Sequence, residues 1–225
     1  MRAIMESAFY YIYLLFIIGT GIYLVAKRRD KICYLFFGLA CVILGFGDAY
    51  HLIPRSVGLF TGTLDNPSEQ LAMYLGLGKL ETSLTMTAFY LLLYYFIYMR
   101  IAKKRNLALD IVVYVLCLSR VVLCLLPQND WPSNSSNLTM GIIRNIPFTI
   151  LGIIVIVLSY LHLRKEKAFK LLFLFIILSF GFYLPVVLFA GTYSWVGMLM
   201  LPKTICYMII AIMAIRDLKM TKTTN

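Results

Sequence analysis

Seven runs of roughly 20 mostly apolar residues, parted by short polar segments, fill almost the whole chain. That pattern leaves few folds open. Each run is long enough to cross a hydrocarbon core as an α-helix, and none alternates faces as a barrel strand must. With 61% hydrophobic residues and a mean hydropathy of +0.85, the composition is not that of a soluble domain. The expected fold is all-α, an integral membrane bundle of seven transmembrane helices. Their expected positions are about residues 5–26, 32–53, 71–99, 107–126, 139–161, 169–190 and 196–215. They make a single domain over 1–216, followed by a short tail at 217–225.

A net charge of +11 would suit a nucleic-acid partner if the bases shared a solvent-facing surface, but they do not. Most lie in four groups: Lys27, Arg28, Arg29, Lys31; Arg100, Lys103, Lys104, Arg105; Arg164, Lys165, Lys167, Lys170; and Arg216, Lys219, Lys222. Each group follows an odd-numbered apolar run. Under the positive-inside rule these are cytoplasmic loops and a cytoplasmic tail, with the N-terminus outside the cell membrane. The same groups suit anionic lipids at the cytoplasmic face.

Cysteine and histidine contribute little to the expected chemistry. Cys33, Cys41, Cys117, Cys124 and Cys206 fall inside apolar runs, which argues against an extracellular disulfide framework. The only histidines are His51 and His162, and no CxxC is present, so no metal site and no cofactor are expected.

The second run ends in Gly45-Phe-Gly-Asp-Ala-Tyr-His-Leu-Ile-Pro-Arg55, which carries a carboxylate, an imidazole and a guanidinium. Asp48, His51 and Arg55 are spaced to share one helical face, which Gly38, Cys41 and Gly45 continue as small residues. Pro54 is expected to end the helix. Beyond this stretch, Lys79, Arg120, Arg144 and Lys203 lie at a similar depth on the third, fourth, fifth and seventh runs, with Glu6 and Glu81 at comparable depth. In the first run Glu6, Tyr10 and Tyr13 fall on one face, where the tyrosines are expected to serve interfacial anchoring and packing.

Charges at membrane depth are costly and normally face a bundle interior. Asp48, His51, Arg55, Lys79, Glu81, Arg120, Arg144, Asn145 and Lys203 are therefore expected to line a basic, outward-facing polar cavity. Surplus positive charge favours a small anionic or amphiphilic ligand, to be transported or sensed. Two alternatives use the same residues. In an intramembrane hydrolase, Asp48 would orient His51 toward a hydroxyl of the third helix such as Ser83. In a structural or assembly protein, the charges would simply join helices.

Overall fold

The computed structural model describes residues 2–28, 31–64, 66–101, 106–133, 137–189 and 193–223. Arg29, Lys103, Lys104 and Arg105 of the basic groups, and the side chain of Lys222, lie outside the described residues. Among the described residues the structure is helical throughout: α1 (Arg2–Ala26), α2 (Ile32–Thr61), α3 (Glu69–Ile101), α4 (Leu107–Leu125), α5 (Leu138–Leu163), α6 (Leu172–Phe189) and α7 (Met200–Thr223). All seven spans are long and apolar enough to cross a membrane, with six residues of 3₁₀ turn, Ser194–Leu199, leading into α7.

Two starts carry a side-chain cap. Asn106 accepts the Ala108 N–H at the head of α4, and Asn137 accepts the Met140 N–H at the head of α5. Helix α2 packs between α1 and α3, α5 to α7 pack in sequence, and α7 returns to α1 to close the bundle. Helix α4 lies on the outside against α5 and α3. Large apolar side chains such as Ile12, Leu15, Leu107, Leu118 and Ile153 point outward, an exterior suited to lipid rather than water.

Two helix ends differ most from the sequence expectation. Helix α2 does not stop at residue 53 but carries Pro54 in its interior and runs on to Thr61, closing at Gly62, whose N–H caps the Gly58 carbonyl. A proline cannot donate to the carbonyl four residues before it, here that of Tyr50. That same carbonyl lies at the closest approach of α3: a Cβ on Gly78 would stand 2.6 Å from the Tyr50 oxygen. Absence of a side chain at Gly78 thus lets α3 come up against the main chain that Pro54 perturbs. A similar approach joins α1 to α2, where a Cβ on Gly21 would lie 2.7 Å from the Gly38 carbonyl oxygen.

The second difference is at α7, which continues through residue 223 instead of stopping at 215. Asp217, expected in a tail, is buried. It receives Arg100 Nη1 at 2.5 Å and Nη2 at 2.8 Å, together with the Tyr34 hydroxyl at 2.5 Å. Glu166 accepts the Arg100 Nε at 3.0 Å. Arg100 thus does not belong with the headgroup-facing bases; it ties α3 to α7 and to the turn before α6. Bidentate pairing of this kind compensates a desolvated guanidinium.

Between this lock and the opposite end lies a dense aromatic layer. Tyr90 meets Phe148 edge-on at 5.1 Å between centroids, Phe89 meets Tyr207 at 5.4 Å, and Phe148 lies 5.1 Å from Phe180. Such contacts hold α3, α5, α6 and α7 together by shape and edge-to-face electrostatics.

Because Arg100 would keep only Glu166, replacing Asp217 with alanine is expected to cost about 3 kcal/mol of stability. Thermal or denaturant unfolding in detergent measures that loss.

Candidate functional site

Asp48, His51 and Arg55 do share one side of α2, but they address different neighbours. Asp48 accepts the Tyr13 hydroxyl of α1 at 2.5 Å. Arg55 donates its Nε to the Tyr10 hydroxyl at 3.0 Å and lies 3.7 Å from the Glu6 carboxylate, to which Tyr10 also donates. His51 sits where Gly78 brings α3 against α2, with Lys79 within electrostatic reach, and its Nδ1 is buried without a hydrogen-bond partner. The stretch is therefore three separate contacts, not a relay.

That division bears on the catalytic candidates. No hydrogen bond joins Asp48 to His51: the carboxylate accepts the Tyr13 hydroxyl, and His51 Nδ1 has no partner. Ser83 donates to the Lys79 carbonyl at 2.8 Å, Thr85 to the Glu81 carbonyl at 2.9 Å, and Thr82 to the Gly47 carbonyl at 3.2 Å. These hydroxyls satisfy backbone acceptors, a common habit of Ser and Thr within helices. Among the described residues no three of His, Cys, Asp and Glu converge so as to hold a metal ion.

The bases divide into engaged and unengaged groups. Arg144 is engaged: its Nη1 donates to Asn129 Oδ1 at 2.6 Å, and its guanidinium lies 4.4 Å from the centre of the Trp131 ring. Both partners belong to the α4–α5 connection, which folds onto the bundle instead of projecting from it. Asn129 caps the Leu123 and Leu126 carbonyls, Trp131 Nε1 donates to the Cys124 carbonyl at 2.8 Å, and the Trp131 carbonyl packs against Gly76 of α3. Asn145 is likewise engaged, donating to the Gly141 carbonyl and accepting the Tyr183 hydroxyl of α6. Arg55 is committed to Glu6 and Tyr10 as described.

Arg120 and Lys203 are different. Arg120 is only 2% exposed, and its Nε and Nη1 have no hydrogen-bond partner. Its guanidinium stacks 3.4 Å above the Phe148 ring, with Cys124 and Tyr183 beside it. Lys203 is 7% exposed, with its Nζ 4.7 Å from the Tyr183 ring centre and 5.7 Å from that of Tyr207. Asp48 and Arg120 are the charged groups within its electrostatic reach. No carboxylate lies within ion-pair distance of Lys79, Arg120 or Lys203 among the described residues. Glu81 pairs with none of them, and its α3 position turns it away from Lys79.

Magnitudes show what the rings can do for these cations. A desolvated cation–π contact supplies roughly 2 kcal/mol. The effective penalty for removing an ion from water is several kcal/mol. Aromatic faces therefore offset part of the cost and leave Arg120 and Lys203 short of negative charge.

The sequence reading placed these bases at one depth but missed their surroundings. Tyr13, Phe148, Tyr183 and Tyr207 line the site, and Tyr10 and Tyr13, read as interfacial and packing residues, are buried hydrogen-bond donors. The signal was present in the first run: Glu6, Tyr10 and Tyr13 occupy the same face as one another, which is the face that meets α2. No protein-family model, curated protein or solved structure matches the chain.

Gly78→Ala tests whether the close α2–α3 crossing holds the site together. In an ordinary helix interior this change stabilises, whereas here overpacking against the Tyr50 carbonyl is expected to destabilise by about 1–3 kcal/mol. A lowered melting temperature in detergent is the expected sign, and a raised one would refute the crossing.

Proposed function

We propose that this is a multi-pass protein of the cell membrane whose Arg120–Lys203 region binds the negatively charged group of a small anionic or amphiphilic molecule, for transport more than for sensing. The observation that carries this reading is Arg120, fully buried with two guanidinium nitrogens unsatisfied and no acid in contact. A carboxylate or phosphate would satisfy those donors and neutralise the charge in one step. Phe148, Tyr183 and Tyr207 beside the cations offer flat apolar walls, so an anion carrying an apolar or aromatic body fits better than a fully hydrated ion.

In this reading the N-terminus is outside and the C-terminus cytoplasmic, with the Arg100 lock at the cytoplasmic end. Its basis is the run of bases at that end: Lys27, Arg28 and Lys31 after α1, Arg164, Lys165, Lys167 and Lys170 after α5, and Arg216 and Lys219 at the end of α7. Transport is favoured by two features. Pro147 and Pro185 interrupt α5 and α6 near the cluster, supplying hinge points. The Arg100–Asp217 clamp joins α3 to α7 across one end, a polar contact that can break and re-form as a bundle opens there.

The test is binding and flux of benzoate, decanoate and inorganic phosphate with protein reconstituted in sealed vesicles. Arg120→Gln is expected to weaken binding at least about tenfold. The same change removes a buried unpaired charge, so the variant should melt no lower than the parent. Accumulation inside the vesicles supports a carrier, and binding without flux supports a sensor. Unchanged binding of all three anions in an Arg120→Gln, Lys203→Gln double variant would sink the proposal.

A further inference from the structure

We infer that Asp48 is the resident counter-ion of the Arg120–Lys203 region, held back from Lys203 by Tyr13, and that it makes the site select singly over doubly charged anions. The inference rests on the anion-binding reading above and concerns what that site accepts.

The argument begins with the local inventory of charge. Lys79, Arg120, Arg144 and Lys203 lie within electrostatic reach of one another in pairs, Lys79 with Arg144 and Lys203 with Arg120. Within this group it is Lys203 that Asp48 reaches. Glu6 is occupied by Arg55 and Tyr10, about two turns further along α2, and Glu81 makes no ion pair among the described residues.

Asp48 nonetheless does not touch Lys203, since no ion pair forms between them. What positions it is the 2.5 Å hydrogen bond from the Tyr13 hydroxyl, which draws the carboxylate toward α1. Tyr13 is itself fully buried, and Gly45, one turn before Asp48 on α2, packs against Ile17 and Ile18, one turn after Tyr13 on α1, so the close crossing sets donor and acceptor side by side. Lys203 therefore feels a negative charge that it does not contact, while keeping its own N–H groups for another acceptor.

In this proposal an entering anion binds beside Lys203, with Asp48 as its nearest like charge. It gains Arg120 and Lys203 and meets the Asp48 charge as a repulsion. A singly charged group suffers that repulsion once, a doubly charged one twice, so the carboxylate sets an upper limit on the guest's charge. Such use of an opposing charge against the wrong partner is a general route to specificity. Tyr13 is the positioning residue: its hydroxyl decides whether the carboxylate stands off or collapses onto Lys203.

Two substitutions move binding in opposite directions. Asp48→Asn keeps an acceptor for Tyr13 and removes the charge, so benzoate should bind about tenfold more tightly, and sulfate should gain by a larger factor. Tyr13→Phe leaves the charge but releases it toward Lys203, so benzoate should bind more weakly, and the loss should disappear in the Tyr13→Phe, Asp48→Asn double variant. Calorimetric titration in lipid nanodiscs reads all four proteins, with Arg120→Gln as the control. Damage to the fold would weaken binding in every variant and cannot produce the gain. Weaker or unchanged benzoate binding in Asp48→Asn, with Arg120→Gln still impaired, overturns the counter-ion role and leaves the anion site standing. Equal gains for benzoate and sulfate overturn the charge selection. If the parent protein binds neither anion, the anion-binding reading fails and this inference with it.

Discussion

A charge withdrawn from water must find an opposite charge, a set of dipoles or a polarisable face, and the two ends of this bundle answer that demand differently. At one end Arg100 has two acids and a tyrosine network, so its donors are matched. At the other, Arg120 and Lys203 rest on aromatic rings, and Lys203 has one carboxylate, Asp48, within electrostatic reach but out of contact. Lys203 and Asp217 are on the same helix and stand roughly 20 Å apart at 1.5 Å per residue. The contrast is internal to one chain, so it does not reflect a general tolerance for unpaired cations. The matched end is a joint between α3, α7 and the turn before α6, and the unmatched end leaves two buried cations without an acid in contact.

The seven-span architecture was legible in the sequence because hydrophobic length is a one-dimensional property, and a bilayer imposes its thickness on each span separately. Helix ends were less legible where they depend on a neighbour. Pro54 reads locally as a stop, yet α2 passes through it because α3, at Gly78, approaches the main chain there. Asp217 reads as part of a soluble tail, yet it is the chief partner of an arginine more than a hundred residues earlier. Neither fact resides in the local segment.

The site was half legible for a similar reason. Depth is conserved when a run is laid across a membrane, so bases at Lys79, Arg120, Arg144 and Lys203 could be matched in height. Rotation about the helix axis is not conserved in that way, and rotation decides partners. It gave Arg144 to Asn129 and Trp131, Arg55 to Glu6 and Tyr10, and Asp48 to Tyr13 instead of His51. The tyrosines were the hardest to place, because the same side chain suits a membrane interface, a core and a buried donor, and only the helix facing it distinguishes the three.

The glycine contacts on either side of α2 have a mechanical meaning. At Gly21–Gly38 and at Gly78–Tyr50 the helices meet main chain to main chain, with only the stiff β-branched Val25 and Val42 beside the first contact and little rotamer layer in between. Packed helices slide past each other by repacking such a layer. Where it is this thin, the joint behaves as a weld, and α1, α2 and α3 form a stator on which Tyr13, Asp48, His51 and Lys79 are mounted. Arg120 and Lys203, on α4 and α7, belong to the other part of the bundle. The separation between the carboxylate and the two cations is therefore set by how α1, α2 and α3 pack against the rest of the bundle.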